Sequence, residues 1–193
     1  GHASNTARLK QLTRSVSRHL SKEAREQLLA RVASAPHFET LLLLHDPTLA
    51  PAATLVETSA WEAGLCSIQC TDFRNFAHGR HVWLSRRLDT TLVLALVCDR
   101  SRQLWQSIEQ VLPEDAKRIV VDFGGSGRVA IFDALVFGLA LVEAIGSIKR
   151  IDPGKPGVAE FGKRIFESTD LMRIVADDEA AVRRKARAIA ALE

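Results

Sequence analysis

Paired cysteines, a large charge excess of one sign and an unbroken apolar run are all missing from this 193-residue chain. Each absence closes off a class of protein. The three cysteines are too few and too oddly placed for a disulfide framework. Cys66 and Cys70 are four apart in a strand-like run, on one side of it and too far apart to bridge easily. Neither is accompanied by further ligands at zinc spacing. The expectation is three reduced thiols in an intracellular, cytoplasmic protein, with no metal and no organic cofactor.

Charge is nearly balanced, with 26 Lys and Arg against 23 Asp and Glu. The imbalance that exists is local. Arg8, Lys10, Arg14, Arg18, Lys22, Arg25 and Arg31 face only Glu23 and Glu26 in the first 31 residues. Such a segment can touch nucleic acid or an anionic surface, but a solvated helix face is the commoner outcome, so nucleic acid is not the expected partner. The longest apolar stretch, Val129 to Ile148, is interrupted by Asp133, Gly138, Glu143 and Gly146, which argues against a membrane span. No signal peptide is evident, the opening Gly-His-Ala-Ser reads as a tag remnant, and the chain reads as part of something longer.

What is present is an alternation of periods. Helices are expected over Ala7–Leu20 (Leu9, Leu12, Val16, Leu20) and Lys22–Ala33, the second capped by Ser21 and apolar at Leu28, Leu29 and Val32. A buried strand follows at 38–45, then the turn Asp46–Pro51, which contains no glycine, and a helix over Ala52–Leu65 with Gly64 as its stop. Cys66–Cys70 reads as a short strand, and Val82 to Leu84 as a helical turn over the sheet. Thr90–Cys98 is the strongest strand. A helix capped by Asp99 or Ser101 carries Leu104, Ile108 and Val111 on its apolar face and closes at Leu112-Pro113. Ala116–Phe123 is the fourth strand, Gly124–Gly127 a turn, and Val129–Ile148 a long buried helix.

That order predicts an α/β fold: a three-layer α/β/α sandwich around a parallel sheet of four to five strands, with N-terminal helices and a C-terminal helical tail. The expected divisions are a helical connector at 1–35, the sandwich at 36–165 and the tail at 166–193. Ligands of such sheets lie beyond the carboxyl ends of the strands. Those ends are His45-Asp46, Cys70–Asp72, Cys98-Asp99 and Asp122–Gly127.

One stretch carries chemistry, WEAGLCSIQCTDFRNFAHGRHVW from Trp61 to Trp83. Glu62 ends a helix, a strand follows, and His78 comes sixteen residues after Glu62. Asp72, Arg74, Asn75, His78, Arg80 and His81 lie within ten residues. A carboxylate and an imidazole delivered from neighbouring elements suit proton transfer. Arg74 and Arg80 could hold a phosphate by bidentate contacts. For each residue a plainer role is open: a solvent-facing Glu62 near an unfavourable helix end, a turn-capping His78, surface arginines in ion pairs.

The stretch resembles the sugar isomerase (SIS) family of phosphosugar-binding domains, over roughly residues 36–165. In its isomerases a helical Glu, a strand and a segment E-x-x-H-G-P recur, and here Glu62 and Asn75–Arg80 (NFAHGR) fall on them. Asn75 stands where the family has Glu, Arg80 where it has Pro, and Ser59 where aminosugar-handling members carry Lys. No Ser/Thr-rich phosphate turn of the kind S-x-S-G-x-T is present. The resemblance implies the second, Glu- and His-bearing domain of a pair, or a homodimer, acting on a phosphosugar. Glu62 would be the base and His78 the ring-opening group. Lys155 or Lys163, after the Asp152-Pro153 turn, would give electrostatic help. Arg74, Asn75, Arg80, His81 and Ser126 would contact the ligand. The alternative is a non-catalytic module that binds a phosphosugar or nucleotide-sugar, or that only dimerises.

Overall fold

Four strands read from their apolar runs form one parallel sheet. The computed structural model describes residues 2–35, 37–125, 127–170, 173, 177 and 178, with the side chains of 2–5, 7 and 8 left aside. Two compact units divide it, 1–156 and 157–193. In the first, helices α1 (His2–Leu20) and α2 (Lys22–Ala33) precede strand β1 (Thr40–His45), a tight turn and α3 (Ala50–Glu62). Strand β2 (Ser67–Asp72) leads into α4 (Phe73–Asn75), a π-helical turn at Phe76–Arg80 and α5 (His81–Ser85). Strand β3 (Thr91–Val97), α6 (Arg102–Glu109), β4 (Arg118–Asp122) and the long α7 (Arg128–Lys149) complete it.

The strand order is β2-β1-β3-β4, so the chain leaves β1 first to one side and then to the other. Leu43 lies opposite both Cys70 and Leu94, and Ala95 opposite Val120. Both central strands are buried on both faces, which is why they read as continuous apolar runs rather than alternating ones. Leu41, Leu43, Leu92 and Leu94 face one way, toward α2, α3 and α7. Leu42, Leu44, Val93 and Ala95 face the other, toward Phe73, Phe76, Leu84 and α6. This is the three-layer α/β/α sandwich.

Each residue that interrupts the apolar run of α7 has a contact that explains it. Asp133 is buried and receives Arg18 Nη1 at 3.0 Å, with His19 Nε2 2.9 Å from its other oxygen. Neither atom of this second contact makes a well-aligned hydrogen bond, so it stands as an ion-pair distance. Glu143 pairs with Arg25 of α2. A side chain at Gly138 would press Leu55 and Val56 of α3 at 3.1 Å. One at Gly146 would meet the Ile151 carbonyl at 2.6 Å. That carbonyl is close because Ile151 N–H turns back to Gly146 O, closing the helix over Arg150, whose φ is 58°. By length and composition α7 could cross a membrane, yet 67% of its apolar window is buried inside the molecule.

The basic N-terminal helices are bound to this core. Besides its contact with Asp133, Arg18 donates to Asp122 O at 3.3 Å, and Arg31 donates to Val120 O at 3.0 Å. These guanidinium groups occupy carbonyls of the edge strand β4. Ser21 caps α2 by accepting from Ala24 N–H at 3.3 Å. Gly64, at φ 62°, ends α3 with Leu65 N–H returning to Ala60 O.

Two expectations need correction. The buried residues of α6 are Trp105 and Ile108, while Leu104 is 41% and Val111 80% exposed. The helix stops at Glu109, so Val111 lies beyond its register, and the large indole takes the inward position beside Leu104. Strand β2 begins after Cys66 and runs on to Asp72, so the two cysteines do not share a strand. All three cysteines are free. In the second unit, α8 (Glu160–Phe166) leaves Phe161, Ile165 and Phe166 exposed, as is Val158 just before it.

Candidate functional site

A carboxylate stands at or just past the end of every strand, and the fold uses each one itself. Asp46 accepts from Thr48 N–H at 2.8 Å and from its hydroxyl at 2.6 Å. Burial alone would raise the Asp46 carboxyl, but hydrogen bonds from Thr48, Cys98 and Ser101 outweigh it and hold the group below its ordinary range. Asp72 likewise feels burial, outweighed by donors from Asn75 and the Arg74 amide; Asn75 N–H reaches it at 2.8 Å. Asp122 is lowered chiefly by Arg102, whose Nε donates at 2.6 Å, and it also receives Gly124 N–H at 2.8 Å. Asp99 takes Arg102 Nη2 at 2.6 Å.

The consequence is chemical. At the turn after β1, the Thr48 amide that a ligand phosphate would seek is already filled by the Asp46 carboxylate. The buried His45 ring adds no open donor, since its Nδ1–H is given to Asp46 O at 2.9 Å. This explains physically why the turn needs no glycine: nothing bulky approaches its backbone.

The segment after β2 is built differently. Asp72 caps α4, and the chain then widens into the π turn Phe76–Arg80, with Gly79 at φ 143°. Single π turns occur often at functional sites. Phe76 is buried beneath the turn while Ala77 and His78 are exposed on it. Two contacts brace the turn: Arg80 Nη1 donates to Cys70 O at 3.4 Å, and His81 Nδ1 to Phe76 O at 3.1 Å. Beneath Gly79 and Arg80, along the edge strand β2, lies a depression of about 290 Å³. Gln69, Thr71 and Trp83 line it with the Arg80 guanidinium. Trp83 also carries Arg87 over its ring, 5.5 Å from the centroid. Cys70 contributes its carbonyl to this wall, while its side chain packs on the other face, where burial pushes the thiol up to about 11 and keeps it protonated.

The other expected site residues are dispersed. Glu62 is exposed at the end of α3 and lines a shallow depression of about 590 Å³ with Ser59, Leu139, Asp152, Pro153 and Gly154. Lys155, exposed, is the next residue of that closing segment. Lys163 belongs to the second unit, 4.0 Å from Glu160. Asn75 is spent on Asp72, to which its side-chain amide also donates. Arg74 is exposed, His81 faces a different depression, and Ser126 lies outside the described residues.

Within one chain the structure does not bring Glu62 and His78 together. All strands run the same way, so α3, returning from the carboxyl end of β1, finishes at the amino edge of the sheet. It does so on the face of Leu41 and Leu43, whereas the π turn covers the face of Leu42 and Leu44. Sequence reasoning missed Gln69, Thr71 and Trp83. Gln69 and Thr71 share a side of β2 at period two, and Trp83 follows Arg80 by three residues on a helical path, signals visible only once the pairing is known.

No family model matches the chain, and no curated protein matches it. Among solved structures, it is similar to a crystal structure of a putative phosphosugar isomerase involved in capsule formation from Bacteroides fragilis. The TM-score is 0.59 and the identity 14%, and the match covers 82% of this chain and 98% of that one. At that identity the likeness establishes the fold.

Proposed function

We propose that the chain is a phosphosugar isomerase domain whose active site is completed by a second copy or a second domain of the same fold. The observation that carries this reading is the depression beneath the π turn. It presents a guanidinium, an amide, a hydroxyl and an indole, and Gly79 at its rim is the chain neighbour of the exposed His78. Arg80 suits a phosphate, Gln69 and Thr71 suit sugar hydroxyls, and Trp83 suits the apolar face of a sugar ring.

In the proposed reaction His78 gives a proton to the ring oxygen while the anomeric hydroxyl releases one to water, opening the ring. Glu62 of the second copy then takes the proton from the carbon beside the carbonyl. It returns that proton to the former carbonyl carbon while the hydroxyl proton of the neighbouring carbon passes to the former carbonyl oxygen, converting aldose to ketose phosphate. Lys155 or Lys163 would steady the enediolate oxygen by charge. Glu62 has to come from elsewhere because α3 delivers it to the opposite face and edge of its own sheet.

The test is complementation. Glu62→Gln and His78→Asn should each lower hexose-phosphate isomerisation by about a hundredfold or more. Mixed and re-associated, they should recover about a quarter of wild-type activity, because only mixed pairs hold an intact site. Inactive mixtures would overturn the shared site, and an active Glu62→Gln would overturn the base.

A second reading, a non-catalytic binding or dimerisation module, is favoured by the Asp46 carboxylate occupying the turn after β1. It predicts that a hexose phosphate raises the melting temperature without turnover.

A further inference from the structure

The π turn forms a wall of two depressions, and the second has a different chemistry. It lies between the turn and α6, has a volume of about 410 Å³, and is lined by Phe76, Leu84, Ile108 and Val111. Phe76, Leu84 and Ile108 are buried at its base, whereas Val111 stands 80% exposed at its lip. This is ligand-sized apolar surface open to water.

Only two lining side chains are polar, and the bonds they already make determine what they still offer. A carbonyl oxygen can only accept, so the contact from His81 Nδ1 to Phe76 O places the proton of the neutral ring on Nδ1. Its Nε2 is then a bare acceptor, with no hydrogen bond to it among the described residues. Ser85 gives its hydroxyl proton to Val82 O at 2.8 Å, so its oxygen too is left as an acceptor. The depression therefore offers acceptors and no spare side-chain donor. A phosphate or a carbonyl finds no partner there, while an N–H or O–H does.

We infer that this depression is a binding site for a small, neutral aromatic molecule carrying a hydroxyl or ring N–H donor, the phenol or indole class. The ring lies against Phe76, Leu84 and Ile108, and its donor goes to His81 Nε2. Ala77, which also lines the depression, is the neighbour of His78, so the occupant is read directly by the turn that carries that imidazole. The inference rests on this geometry alone and is independent of the isomerase reading.

The experiment titrates the full chain with toluene, phenol and indole, following amide resonances by NMR, so no turnover is needed. Phenol and indole should bind saturably at millimolar concentration or below, about tenfold more tightly than toluene, and should shift Ala77, Leu84 and Val111. His81→Phe, which keeps a ring against Phe76, should erase the advantage over toluene. Ala77→Phe, which fills the depression, should abolish binding of all three. Val111→Trp fills it from the lip and serves if Ala77→Phe fails to fold. Absence of saturable binding overturns the site. Equal binding of toluene and phenol, or an advantage that survives His81→Phe, overturns the donor assignment.

Discussion

The two faces of the sheet are covered in opposite ways. On the face of Leu41 and Leu43, the 22-residue α7 and the 13-residue α3 pack closely, and Gly138 and Gly146 let backbone and side chains approach. The face of Leu42 and Leu44 is covered by α4, the π turn, α5 and the 8-residue α6, pieces too short to meet without gaps. Both depressions that border the π turn lie there. Dense packing against the sheet confines the depression at Glu62 to the outer surface of α3 and α7; short, braced pieces leave concavities that reach the sheet itself and expose polar groups at defined positions.

Core truncations should separate the faces most. Leu141→Ala on the α7 face should cost about 4 kcal/mol, and Leu84→Ala on the other about 2, because the neighbouring depression gives the smaller site room to relax. Equal losses in urea unfolding would break the comparison. Gly146→Leu should cost about 3 kcal/mol by the same measurement, since its side chain meets the Ile151 carbonyl and Pro153. A wild-type midpoint would mean that the closing turn moves aside freely.

Asp133→Ala should cost about 2 kcal/mol, as it removes the carboxylate that meets both Arg18 and His19. The buried His19 imidazole gives the α7 face a pH response. Burial, the largest influence, holds the His19 imidazole below its ordinary value despite the Asp133 carboxylate. The fold thus binds that proton less readily than the unfolded chain. Its contribution to stability is complete above about pH 6.5 and declines as pH falls toward the lowered folded value. His19→Asn should flatten the urea midpoint between pH 7 and 5, and an unchanged slope would remove His19 as the cause.

Asp46, Asp72 and Asp122 are lowered carboxyls, so their contribution is present above about pH 4 and is lost on further acidification. The smallest change expected is a gain. Arg150 occupies the left-handed region at φ 58°, and Arg150→Gly should add about 0.5–1 kcal/mol. Destabilisation there would show that the arginine side chain, and not the backbone, matters.

Much of this was legible from residues alone. The α2 cap at Ser21, the stop at Gly64, the four strands and the buried long helix follow from local signals. The four carboxylates at the strand ends were visible too, but their use was not. Whether Asp46 greets a ligand or its own Thr48 depends on a turn that folds back by only two residues. The inward choice of Trp105 over Leu104 was equally hidden, since both are apolar and adjacent. Of the candidate site, His78 and Arg80 were found by motif, whereas Gln69, Thr71 and Trp83 required the strand and the returning turn to be set side by side.

The sequence by itself determined the order of elements and the parallel sandwich, because hydrophobic period, caps and stops act over a few residues. Only the tertiary structure decided that Glu62 and His78 lie on different faces and that the π turn overhangs a polar and an apolar depression. Those outcomes depend on which face each crossover takes, and that is set by packing between segments far apart in the chain.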